Sequence, residues 1–231
     1  MNNLQTIHQA ALREGAEVKY RYENGSLQMI GHNFPLSIRE NEFEFLKNFI
    51  IENNLKIGYE VATAFGASST AIGMGFKETG GKLATMDAYI EEALNSCTYN
   101  GAPEQTHENM DGWKSVNFLR QHFGLEDVVF PHVGWSPTNT EEVIRGIHGD
   151  EKLDFIFIDA LHYDEPFMAD VKSVLPFLAD KYAIFFHDVH CFSDAAKQFI
   201  VDTFGEMYVT PPECRLEHKG GYNLSYINKL S

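Results

Sequence analysis

The chain has 231 residues, 44% of them apolar, and a formal net charge of −15. That length and apolar content suffice for one large α/β domain with a sizeable core. The acidic balance argues against a nucleic-acid partner, because phosphate binding needs clustered Lys and Arg, and it suits a soluble protein.

The opening stretch, MNNLQTIHQAALREGAEV, is too polar for a secretion signal. Residues 4–16 are predicted to form a short amphipathic helix with Leu4, Ile7 and Ala11 on one face. VKYRYENGSLQMI then offers two alternating runs around Asn24-Gly25, a pair that tolerates the positive φ angles of a tight hairpin turn. Residues 1–36 are therefore expected to be a helix-and-hairpin extension, and residues 37–231 the main domain. Ser37 is expected to cap a helix over 38–53, with Phe43, Leu46, Phe49 and Ile50 facing inward.

Strands and helices alternate from there. KIGYEVA, KLATMD, VVFPHVG, LDFIFIDA and YAIFFHDV are predicted strands. SSTAIGMGFKE, YIEEALNS, GWKSVNFLRQHFG, TEEVIRGIHG, FMADVKSVLPFLA and DAAKQFIVDTFG are the helices between and after them, and residues 97–112 look like an inserted loop. MYVT and YNLSYINK are expected to close the sheet as an antiparallel pair. Such alternation implies a Rossmann-like, doubly wound, mostly parallel sheet of seven strands with helices on both faces. DFIFID and YAIFFHD are apolar on both faces, as central strands are. No apolar run approaches the ~20 residues of a membrane span. Cys97, Cys191 and Cys214 have neither metal-ligand spacing nor an even-numbered framework, which fits reduced thiols in the cytoplasm.

In such sheets ligands sit at the carboxyl ends of the strands. The first strand ends in Glu60 and runs through Ala62 and Gly66 into a helix starting at Ser68, Ser69 and Thr70. Free N–H groups there favour a carboxylate or phosphate, although the three-glycine dinucleotide fingerprint is absent. Asp87 ends the second strand, where an acid can accept hydrogen bonds from ribose hydroxyls. Gly134, Trp135 and Ser136 follow the third strand, placed to pass close to, stack on and hydrogen-bond a ring. FIDALHYDE and FFHDVH bring Asp159, His162, His187, Asp188 and His190 to one rim. Carboxylates there suit Mg²⁺, Mn²⁺ or Ca²⁺, and imidazoles admit Fe²⁺ or Zn²⁺.

EVATAFGASST, LATMD, FIDALH and FFHDV together resemble a class I S-adenosylmethionine-dependent methyltransferase, over roughly residues 40–230. The branch most similar is the metal-dependent macrocin and sugar O-methyltransferases, with their Asp-x-x-His element. The resemblance implies that Glu60 and the 62–70 loop hold the methionine end of S-adenosylmethionine, Asp87 the ribose, and residues 134–136 the adenine. It makes Asp159, Asp188 and His187 ligands of Mg²⁺ or another divalent cation, with Asp159 also bordering the cofactor, and His162 the general base. It implies methylation of a small-molecule acceptor with vicinal hydroxyls. A homodimer is the default expectation for a soluble enzyme. The chain departs from the family at Ala62 and Ala64, where glycines are usual, at Trp135, where many members carry an acid, and at His187-Asp188, where two acids are usual. Three rivals are a nicotinamide-dependent oxidoreductase, a non-catalytic domain of the same fold, and a metal-using hydroxylase-like relative.

Overall fold

The computed structural model describes residues 20–23, 26–29, 35–64, 66–88, 112–215 and 224–231. The helix expected over 4–16, the Asn24-Gly25 turn, the helix beginning YIEEALNS and the 97–111 part of the loop lie outside them. Strands β1 (Tyr20–Glu23) and β2 (Ser26–Met29) pair antiparallel, Glu23 opposite Ser26, as the hairpin pattern predicts. A third strand, β3 (Pro35–Arg39), pairs antiparallel with β2.

That strand corrects the expected helix start. Ser37 lies in β3, and helix α1 begins only at Glu40 and runs to Glu52. Pairing with β2 keeps residues 35–39 extended, and the cap is supplied from inside the helix. The Glu42 carboxylate accepts the Arg39 backbone N–H at 2.8 Å, the reciprocal half of a capping box.

The main sheet follows in chain order: β4 (Ile57–Val61), α2 (Ala67–Thr79), β5 (Lys82–Asp87), α3 (Gly112–Phe123), β6 (Val129–Val133), α4 (Thr140–His148), β7 (Leu153–Ile158), α5 (Asp164–Val174), β8 (Leu178–Phe186), α6 (Asp194–Phe204) and β9 (Ser225–Asn228). The spatial order is β6-β5-β4-β7-β8-β9, parallel except for β9. The chain steps outward from β4 to β6, then returns to the other side of β4 at β7. The strand order therefore reverses at β4, and a crevice opens at its carboxyl end. The sheet has six strands among the described residues, not the seven expected. MYVT contributes a single antiparallel bridge, Val209 to Tyr226, with N–H···O distances of 2.9 and 3.0 Å. Pro211 and Pro212 follow at once and lack the N–H groups needed to extend the ladder.

Alternation along the central strands explains their unbroken apolar character. Phe155, Phe157, Ala183 and Phe185 face α1, α2 and α3, while Ile156, Ile158, Ile184 and Phe186 face α4, α5 and α6. Helix α1 is fixed over β8 and β9 by Phe49, whose ring meets Phe185 edge-on at 5.0 Å and Tyr226 at 5.2 Å. It also lies close to α2: a Cβ at Gly75 would sit 2.9 Å from Ile50 Cβ and 3.0 Å from the Lys47 carbonyl oxygen. This packing carries the first turn of α1 to the carboxyl end of β8. Among the described residues no helix is long and apolar enough to cross a membrane.

Candidate functional site

The loop after β4 takes the backbone shape that glycines normally supply, but with alanines. Ala62 has φ 71°, Ala64 φ 45° and Gly66 φ 89°. Hydrogen bonds hold this shape: Ala62 N–H to the Met86 carbonyl at 2.9 Å, Gly66 N–H to the Thr63 carbonyl at 2.9 Å, and Ala64 N–H to Asp87 Oδ2 at 2.8 Å. Gly66 also needs its missing side chain, since a Cβ there would lie 3.1 Å from the Val116 Cα of α3. A left-handed alanine costs about 1–2 kcal/mol, partly offset by the freedom that glycine has in the unfolded chain. Ala62→Gly and Ala64→Gly are thus each expected to raise stability by about 0.5–1 kcal/mol, read as a higher denaturant midpoint. A lower midpoint would mean that the methyl groups pack usefully.

Glu60 lies beneath that loop with no exposed surface. Its Oε2 accepts from the hydroxyls of Ser69 and Thr85, while Oε1 has no hydrogen bond. Burial pushes the carboxyl up to about 7 despite the hydroxyls of Ser68, Ser69 and Thr85. Thr70 caps back onto the Gly66 carbonyl at 2.6 Å. Ser69 and Thr70 are thereby used within the loop, and α2 starts with no side-chain cap and no acid in its first turn. The Asp87 carboxylate, half-buried at the end of β5, braces the same loop through Ala64.

At the end of β6, Gly134 sits against Met86 and Asn139. Trp135 is half-exposed, and its backbone N–H donates to Asn139 Oδ1 at 3.0 Å. Ser136 turns inward, 3.3 Å from Thr140 Oγ1, which is also 3.3 Å from the Tyr59 hydroxyl.

The ends of β7 and β8 supply the densest chemistry. Asp159, His162 and Asp188 each direct a ligand atom to one point, all within 4.8 Å of one another. His162 Nε2 is 3.5 Å from Asp159 Oδ1 and 3.5 Å from Asp188 Oδ2, yet has hydrogen-bond geometry to neither. Asp188 Oδ1 is likewise buried and unbonded. Asp188 holds φ 54°, a conformation that Asp tolerates better than most residues and one that recurs at functional sites. His187 lies deeper, 4% exposed. Its Nδ1 is 3.2 Å from Asp159 Oδ1 and 3.4 Å from Asp188 Oδ1, and its Nε2 is 3.4 Å from Glu42 Oε2. His190 is exposed, with Nε2 3.3 Å from Cys191 Sγ, outside this group.

The electrostatics follow from crowding anions in a buried place. Burial pushes Asp188 up to about 7, and the Asp159 charge adds to it against the pull of His187. Burial alone would raise Asp159, but the His187 and His162 charges outweigh it and hold that carboxyl low. Burial would lower both imidazoles, and the surrounding carboxylates raise them instead. The site therefore demands positive charge. His162 Nε2 and Asp188 Oδ1 are buried without a hydrogen bond, and the oxygen and nitrogen atoms of the group approach to 3.2–3.5 Å, near the ~3 Å that separates neighbouring ligands of one small divalent cation when bonds are ~2.1 Å. The donor set fits such an ion.

Glu42 escapes the motif reading. Its signal was weak: an acid four residues before Leu46, on the stripe that α1 buries.

Residues 59–189 match a family model described as a methyltransferase domain. No curated protein matches the sequence. Several solved structures share the fold. An O-methyltransferase from Bacillus cereus in complex with S-adenosylhomocysteine (SAH) is 15% identical, with TM-score 0.63 over 96% of this chain and 88% of that one. The O-methyltransferase TomG from Streptomyces achromogenes, involved in tomaymycin synthesis and solved with S-adenosylmethionine, is 13% identical, with TM-score 0.62 over 96% and 86%. An SAH-bound methyltransferase from Podospora anserina is 15% identical, with TM-score 0.56 over 99% and 97%.

Proposed function

The chain belongs to the methyltransferase-domain family and is an S-adenosylmethionine-dependent methyltransferase, and on that premise we propose that it methylates a hydroxyl oxygen of a small molecule, assisted by a divalent cation. One observation carries the reading: Asp159 and Asp188 converge with the imidazoles of His162 and His187 beside the crevice where the strand order reverses. Two of the structural neighbours are named as O-methyltransferases, which favours oxygen as the nucleophile.

Methyl transfer is an in-line displacement: the acceptor oxygen forms a bond to the methyl carbon as the sulfonium–carbon bond breaks. The chain's task is to hold that oxygen against the methyl group, which is catalysis by proximity. A hydroxyl is a weak nucleophile at neutral pH. A divalent cation held by Asp159, Asp188 and His187 would stabilise negative charge on vicinal hydroxyl oxygens. His162, less buried than His187, receives the proton at Nε2. The acceptor class that suits this chemistry is a sugar unit or a catechol-like ring.

Calorimetry with S-adenosylmethionine, with and without Mg²⁺ and with NAD as control, tests the premise. Micromolar binding of S-adenosylmethionine and none of NAD is expected. Absence of S-adenosylmethionine binding would mean that the alanine-filled loop no longer admits the cofactor, and would favour the non-catalytic reading.

A further inference from the structure

The two histidines beside the acidic pair are held in opposite ways. His187 is clamped at both nitrogens, Nδ1 against Asp159 and Nε2 against Glu42. His162 makes no hydrogen bond at Nε2, only the two approaches at 3.5 Å. Glu42 itself is fully buried and anchored from three sides. Its Oε1 accepts from Arg39 Nη2 at 2.8 Å and from the Leu224 N–H at 3.1 Å, and its Oε2 from the Arg39 N–H at 2.8 Å. Arg39 in turn donates to the Cys214 carbonyl at 3.0 Å. The carboxylate is thus a fixed, charged acceptor aimed at the far side of the His187 ring.

A carboxylate in that position occupies one nitrogen of the ring. It is an acceptor only, so Nε2 of His187 must carry a proton to meet it. Nδ1 faces Asp159 Oδ1 and Asp188 Oδ1, 3.2 and 3.4 Å away, so it is the nitrogen that a cation among these oxygens would meet. Metal-ligating histidines commonly donate their other N–H to a carboxylate, which fixes the ring and raises its basicity.

We propose that Glu42 is a positioning residue for a divalent cation: it fixes His187 as the imidazole ligand, through Nδ1, beside Asp159 and Asp188, and so leaves His162 unclamped on the outer side. The inference rests on the metal-assisted reading above and adds to it a residue of α1, outside the segment that matches the family model.

Mn²⁺ serves as the probe on the intact chain, with affinity read by electron paramagnetic resonance. Glu42→Gln keeps the shape but not the charge, and is expected to weaken Mn²⁺ binding ~10–100-fold. S-adenosylmethionine affinity, measured without metal, should stay within about twofold, a split that general loss of structure would not give. Since a buried substitution can prevent folding, a second measurement uses the native Glu42. Pulsed resonance on bound Mn²⁺ should show coupling to an imidazole nitrogen that survives His162→Gln and vanishes in His187→Gln. Coupling lost in His162→Gln but kept in His187→Gln would overturn the proposal, as would native Mn²⁺ affinity in Glu42→Gln; either leaves the metal-assisted reaction standing. If the native chain binds no Mn²⁺, the proposal and the metal part of the function fall together, while methyl transfer itself does not.

Discussion

Asp159→Ala is expected to abolish methyl transfer while S-adenosylmethionine still binds. The Asp159 carboxylate, like that of Asp188, is close to both imidazoles, and it is the nearer to His187: 3.2 Å from His187 Nδ1 and 3.5 Å from His162 Nε2. Removing it takes away a proposed metal ligand and the charge that orients the proposed base. Loss of a base alone typically slows a reaction ~10²–10⁴-fold, and loss of a metal ligand compounds it. The loop that is proposed to receive the cofactor is built on β4 and β5 by other groups, namely Glu60, Thr85 and Asp87. The measurement is single-turnover transfer at saturating cofactor, paired with calorimetric affinity. Normal turnover in the variant would remove both the metal and the base from the mechanism. Loss of cofactor binding together with turnover would instead place Asp159 in the cofactor site alone.

Much of this layout was legible before any coordinates. The apolar runs DFIFID and YAIFFHD fixed the middle of the sheet, because a strand buried on both faces cannot alternate. With the strands placed, the rule that ligands gather at their carboxyl ends puts Asp159, His162, His187, Asp188 and His190 on one rim; the structure brings the first four together and leaves His190 outside them. What eluded the reading depends on contacts distant in sequence. β3 exists because it pairs with β2, and Pro35 and Ser37 carry no strand signature of their own. The seventh strand shrank to one bridge because two prolines follow MYVT. Glu42 reaches His187 across 145 positions of chain, and no local spacing encodes that meeting. The loop alanines were visible as departures from the family, but only the backbone angles show that the glycine-type turn survives them.

The second large effect concerns Glu60. Its carboxyl has no exposed surface, takes hydroxyl donors on one oxygen only, and is pushed by burial from an ordinary 4.5 up to about 7. In the unfolded chain it ionises near its ordinary value, whereas the folded chain keeps the proton until about 7. Between those values the folded state binds more protons, so stability falls as pH rises through the window, and the loss is complete above it. A displacement of that size corresponds to about 3 kcal/mol. Glu60→Gln cannot ionise, and its amide can still accept from Ser69 and Thr85. The variant is therefore expected to exceed the native chain by about 2–3 kcal/mol at pH 8 and to match it near pH 5, measured by denaturant unfolding without cofactor. Equal stability at both pH values would mean that the buried carboxyl is solvated or paired in solution. Cofactor affinity should move the other way. If the sulfonium binds above the loop as proposed, an ionised Glu60 would attract it, by on the order of tenfold in affinity for charges ~10 Å apart at an effective dielectric of ~20. Glu60→Gln should then bind S-adenosylmethionine more weakly at pH 8, with the difference fading at pH 5, where the native carboxyl is itself neutral. A gain in stability with no change in affinity would assign Glu60 to the loop's architecture alone. Opposite changes at pH 8 would mark it as a group whose instability the fold retains for the ligand.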